Sequence, residues 1–170
     1  MYVGGGIQMN ADALTPKEVV DPNSFDIIRD SVTLSKFKDL SPTETSPRGG
    51  TPLYDSTAKL INLAEAVGNE KTVIIIMTDG EENSSKAYTL QAIRDRIVTC
   101  KARNWEVLFL GAEFNADNIA TQYGLSKGKV INTTLENTSR SMDFYAKASA
   151  SYADFGTAVD TMAVKADLAN

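Results

Sequence analysis

The chain has 170 residues, long enough to bury one sizeable core and short for two. It is 42% apolar and 23% charged, as expected of a globular domain, and its formal net charge of -5, with basic residues scattered singly, argues against nucleic acid or an anionic membrane as the main partner. No histidine is present, which removes imidazole acid–base catalysis and most zinc sites, and a single cysteine, Cys100, leaves no internal disulfide.

The first fifty residues are the least legible. Residues 1–6 lack the basic and apolar regions of a secretory signal. IQMN reads as the end of a strand, and residues 25–28 and 31–37 as short extended segments. Residues 40–50 form a loop by composition, with Pro42 and Pro47 interrupting pairing and Gly49 and Gly50 permitting a tight entry into the next segment. From Thr51 the pattern clears. Pro52 suits a first helical turn, Leu53, Ala58, Leu60, Ile61, Ala64 and Val67 give one apolar face, and Gly68 is a natural stop.

Residues 73–77 are a continuous, β-branched run, as expected of a strand covered on both faces, and far too short to span a bilayer. A helix is expected from Ser85 to about Ala102, terminated near Asn104, with Cys100 packed on its apolar face rather than reactive. Residues 107–110 read as a second strand, parallel to the first through a right-handed crossover. Residues 117–123 read as a short helix and 130–131 as a further strand, and Met142, Tyr145, Ser149, Tyr152, Gly156, Val159 and Ala163, a stripe of apolar and small residues, predict a long helix interrupted or bent near Gly156 at the C-terminal end. Its aromatics Phe144, Tyr145, Tyr152 and Phe155 suit core packing, with a protein interface as the alternative. The whole is one domain over 1–170, with an irregular part over 1–50, an α/β core over 51–135 and a helical segment over 136–170.

In parallel sheets, ligands collect beyond the carboxyl ends of the strands. Asp79 follows the apolar run there, and the loop carrying Thr51 reaches the same edge. A hydroxyl and a carboxylate suit Mg2+ or Mn2+, hard ions that favour oxygen ligands. The competing readings are a helix cap for Thr51 and a turn residue in Asp-Gly for Asp79. Asp55, Glu81, Glu82 and Arg48 are expected mainly at the solvated surface, with outer-sphere or docking roles as the alternative. GGT lacks the lysine of a phosphate loop.

GGTPLYDS, VIIIMTDGEEN and WEVLFLGAE, in that order, resemble the second half of a von Willebrand factor A domain of the compact kind met in bacteriophage and bacterial proteins. The resemblance covers roughly residues 40–135. It implies an α/β fold with a doubly wound, mostly parallel Rossmann-like sheet flanked by helices, and a metal-ion-dependent adhesion site. By motif, Thr51 matches the threonine ligand and Asp79 the aspartate after the central strand. The family's Asp-x-Ser-x-Ser segment has no counterpart at the proper distance upstream, so the expectation is either that the chain is incomplete at its N-terminus or that the site is naturally degraded.

The function implied is a non-enzymatic protein-binding or assembly module, with Mg2+ or Mn2+ engaging an acidic residue of a protein partner. The alternative is a metal-independent structural component of a phage particle or other large assembly, and more remotely a metal-dependent hydrolase. The expected location is cytoplasmic or virion-associated.

Overall fold

The computed structural model describes residues 6–11, 13–14, 25–33, 36, 49–78, 81–112, 116–134 and 136–162. Its centre is a three-stranded parallel sheet of β5 (Val73–Thr78), β6 (Glu106–Ala112) and β7 (Val130–Thr133), in that order. Ahead of it stand β1 (Gly6–Ala11), antiparallel to β3 (Phe25–Val32), and the two-residue ladder of β2 (Ala13–Leu14) with β4 (Gly49–Gly50). The helices are α1 (Leu53–Val67), α2 (Leu90–Ala102), α3 (Ala116–Tyr123) and α4 (Thr138–Phe155).

The period-2 alternation of strand side chains divides the interior in two. Ile74, Ile76, Val107, Phe109 and Val130 point to a core shared with Leu53, Ala58 and Ile61 of α1, Ile93 and Ile97 of α2, and Ala120 and Tyr123 of α3. Leu108, Leu110 and Ile131 point the other way, to Tyr145 and Tyr152 of α4 and to Val159. Helices thus cover both faces of the sheet, which is what the unbroken apolar run of β5 and β6 anticipates. No described helix is long and apolar enough to cross a membrane.

Several expectations shift in detail. Residues 25–28 belong to one strand that continues to Val32, and Gly49 and Gly50 pair with Leu14 and Ala13 instead of forming an open loop. The second long helix starts at Leu90, not Ser85: Thr89 is its N-cap and accepts from the Ala92 amide, while the segment before it is held away by side-chain contacts to α1. It ends as expected, with Asn104 at φ 59°, a conformation asparagine tolerates better than most residues. Of the interruption or bend expected near Gly156, the last helix shows the interruption. It terminates there, in a left-handed cap whose amide donates to the Tyr152 carbonyl, and Val159 and Thr161 pack back onto the second core from extended chain. Ala163, expected to extend the helical stripe, lies outside the described residues, as do Phe37, Pro42 and Pro47.

The aromatics of α4 serve the core. The Tyr145 hydroxyl donates to the Phe109 carbonyl (2.8 Å) and that of Tyr152 to the Asn104 carbonyl. Phe155, at the helix end, is exposed. Cations secure the helix ends near the start of the sheet: Lys71 donates to the Ala153 carbonyl (2.7 Å) and Lys101 to that of Gly124 (2.7 Å), where the helix dipole concentrates negative charge.

Truncating Ile97, fully buried between α2 and the sheet, to alanine is expected to cost about 2–5 kcal/mol in urea unfolding. Val98, its exposed neighbour, is the control: Val98→Ala should stay within about 0.5 kcal/mol of the parent. Equal effects at the two positions would contradict the placement of α2.

Candidate functional site

The carboxyl end of β5 is where the two sequence-predicted loops meet. The Thr51 amide donates to Asn83 Oδ1 (2.7 Å), and the Asn83 amide donates back to the Thr51 carbonyl (3.1 Å). A side chain at Gly50 has no room: a Cβ there would lie 2.8 Å from Asn83 Oδ1 and 2.9 Å from Ser84 Oγ. The glycine before Thr51 is therefore needed for close approach, and its φ is not in the left-handed region.

Thr51 is held through its backbone, and the helix-capping role expected of its hydroxyl is not what starts α1. Pro52 occupies the cap position without a side-chain cap bond. The orphan amides of the first turn are instead satisfied from across the rim. The Tyr54 amide is shared by Glu82 Oε2 (2.9 Å) and Ser85 Oγ (3.0 Å), and the Asp55 amide donates to Ser85 Oγ (3.1 Å). A carboxylate at a helix N-terminus is stabilised both by these donors and by the helix dipole.

Glu82 is accordingly not a solvated loop residue. Its Oε1 accepts from the Ser84 (2.8 Å) and Ser85 (2.7 Å) amides, and its Oε2 accepts from the Ser85 hydroxyl (2.6 Å) as well as from Tyr54. Asp55 completes a reciprocal arrangement. Its carboxylate accepts from the amides of Lys86 (2.8 Å), Ala87 (3.1 Å) and Tyr88 (2.8 Å). One acid from the loop thus caps the helix, and one acid from the helix orders the loop. Glu81 is exposed, as expected. Asp79 and Arg48 lie outside the described residues.

Aromatic hydroxyls lie beside this clamp. The Tyr54 and Tyr123 rings pack at a tilt of 56°, with 6.0 Å between centroids. Burial, followed by the charge of Glu82, pushes the Tyr54 phenol above its ordinary value, with Arg94 opposing. Burial pushes Tyr123 up further, helped by Tyr54 and Glu82. Both phenols stay protonated near neutral pH, and the buried Tyr123 hydroxyl has no hydrogen-bond partner among the described residues. Burial likewise raises the Cys100 thiol, which fits a packing residue and not a nucleophile.

The Ser84 hydroxyl, tucked against Gly50, is also buried without a partner. It adds an oxygen donor next to Thr51, of the kind hard divalent ions accept. Among the described residues no three of Asp, Glu, Cys and His are grouped to hold a metal, and the carboxylates of Glu82 and Asp55 are taken up by backbone amides. Asn83 and Ser85 are the rim residues that sequence reasoning passed over. Their signal was the NSS run after two acids, since Asn and Ser side chains compete for loop and helix-end amides.

At the opposite end of the sheet, a cleft of about 810 Å³ is lined by Lys71, Lys101, Arg103, Trp105 and Lys129. Its cations are engaged within the fold: Lys71 and Lys101 at helix ends, Arg103 with Glu65 (3.1 Å), and Lys129 with Glu106 and the Val159 carbonyl. No protein-family model, curated protein or solved structure matches this chain.

Replacing Glu82 by alanine strands the amides of Ser84 and Ser85, takes one of two acceptors from that of Tyr54, and should cost about 1.5–3 kcal/mol. Those amides are expected to lose protection from hydrogen exchange. In Asp55→Ala the loss should fall on Lys86, Ala87 and Tyr88. Exchange unchanged at these positions would show that the clamp does not order the loop.

Proposed function

We propose that the protein is a non-enzymatic protein-binding or assembly module, with a domain of the von Willebrand factor A type whose rim engages a partner. In this reading Thr51 and Asp79 hold Mg2+ or Mn2+, directly or through water, and an acidic side chain of the partner takes an open coordination position. The observation that carries the reading is the paired Thr51–Asn83 contact, which joins the Gly50–Thr51 turn to the loop after β5 at the carboxyl end of the sheet. The unpartnered Ser84 hydroxyl beside Gly50 supports an oxygen-rich ion environment. Specificity would come from the surrounding loop, whose shape the Glu82 and Asp55 clamp sets.

A second reading has its own support. The Glu82 and Asp55 carboxylates are consumed by the fold, and the Asp-x-Ser-x-Ser segment is missing from the sequence, so the same rim works equally well as a metal-independent docking surface in a phage particle or other large assembly, cytoplasmic or virion-bound.

Isothermal titration with Mg2+ and Mn2+ separates the two. The first reading expects binding by the folded chain that is lost in Thr51→Ala and Asp79→Ala, with circular dichroism unchanged. Absence of binding by the intact, folded protein removes the ion from the mechanism and leaves the second reading, which expects assembly to survive EDTA.

A further inference from the structure

Where helices return between parallel strands, helix carbonyl ends gather at the edge where the strands begin, and they carry partial negative charge. The cleft at that edge shows the consequence. Arg103 and Gly156, at the ends of α2 and α4, line it, as do Lys71 ahead of β5 and Glu106 at the start of β6. Helix ends attract cations, which accounts for the Lys71 bond to the Ala153 carbonyl and the Lys101 bond to that of Gly124. A carbonyl takes one of an ammonium's three N–H donors and none of its formal charge, and a whole helix end offsets only about half of one charge. Among the described residues neither lysine forms an ion pair.

The other cations are only partly balanced. Lys129 is matched by Glu106, but Arg103 (3.1 Å) and Arg96 (3.0 Å) share the single carboxylate of Glu65. The cleft lining thus holds Lys71, Lys101, Arg103 and Lys129 against two acids, Glu70 and Glu106, in a chain whose net charge is -5. Positive charge is concentrated here against the sign of the whole molecule. Beside it in the chain, between the lining residues Tyr152 and Gly156, stands Phe155, which is 82% exposed. Exposed aromatics next to fixed cations are what protein interfaces concentrate. Trp105 is buried instead, with the Arg103 guanidinium over its ring, so its indole is not open to a stacked base.

We propose that this cleft is a docking site for an acidic segment of a partner protein, whose carboxylates pair with Lys71 and Lys101 while an apolar side chain covers Phe155. The ordering cost at the lysines is small, because the carbonyl bonds already hold both ammonium groups in place and leave each two further donors. The site lies at the other end of the sheet from Thr51 and uses no metal ion, so it is independent of the ion-dependent contact proposed for the rim.

A fluorescein-labelled decapeptide alternating glutamate with leucine is the probe, titrated with the whole chain in EDTA and read by anisotropy. It should bind with Kd below about 1 mM and more weakly as salt rises. Lys71→Gln and Lys101→Gln keep a donor for the helix-end carbonyl and remove the charge, and each should weaken binding about two- to fivefold. Phe155→Ser should weaken it about fivefold. Lys147→Gln removes the same charge from an exposed position of α4 outside the cleft lining and should leave binding unchanged. In the unsubstituted protein the amide resonances of Arg103, Asn104 and Gly156 should shift with peptide, and those of Ser84 and Ser85 at the rim should not. No binding at about 1 mM peptide, equal binding of a peptide with glutamine in place of glutamate, or Lys71→Gln and Lys101→Gln variants that bind as well as Lys147→Gln overturns the proposal. Shifts confined to the rim also overturn it, and a single-stranded DNA of matching charge that binds tighter than the peptide overturns it in favour of nucleic acid.

Discussion

The fold depends on β6 being buried on every side. Its backbone is hydrogen-bonded to β5 on one edge and β7 on the other, while Val107 and Phe109 enter one core and Leu108 and Leu110 the other. A strand in that position has no solvated face, so Val107 to Leu110 must be apolar, Glu106 at its start needs the Lys129 ammonium, and each backbone group must be paired by a neighbouring strand or by a side chain such as the Tyr145 hydroxyl on the Phe109 carbonyl. The helices are placed by this demand. Those of the α1, α2 and α3 layer cover Phe109, and α4 covers Leu108 and Leu110. The carboxyl ends of the strands then fall on one rim.

At that rim the second constraint operates, the reciprocal use of two acids. A helix start needs acceptors for its first amides, and an irregular loop needs acceptors for amides that no ladder satisfies. Glu82 and Asp55 answer these needs for each other's segment, 27 residues apart in the chain. Neither contact is useful alone. Without Glu82 the first amides of α1 lose an acceptor, and without Asp55 the loop that delivers Glu82 has no fixed course.

Legibility in the sequence depends on whether local and tertiary signals agree. The apolar run of β5, the face and glycine stop of α1, and Asn104 after α2 were readable because periodicity, propensity and burial point the same way there. The start of α2 was misplaced by five residues because Ser85 is a good helix cap by type, and only the contact to α1 shows that its hydroxyl is already committed to Glu82 and to the Tyr54 and Asp55 amides. Glu82 itself looks like a surface acid, since most of its donors are backbone groups that no residue pattern displays. At Gly156 the sequence leaves interruption and bend both open because the stripe of apolar and small residues continues past it, and a left-handed cap ends a helix without any change of composition.

Many of the ionisable groups in the described residues are spent on holding the fold together. Glu82 and Asp55 are tied to amides, Lys71, Lys101 and Lys129 to carbonyls or to Glu106, and the phenols of Tyr54, Tyr123, Tyr145 and Tyr152 are all pushed upward by burial. Groups spent in this way hold loops and helix ends in place. The result at the rim is a loop of fixed course, set by Glu82 and Asp55. Its shape is therefore written in backbone hydrogen bonds to two carboxylates, so the course of the loop and the start of α1 change together or not at all.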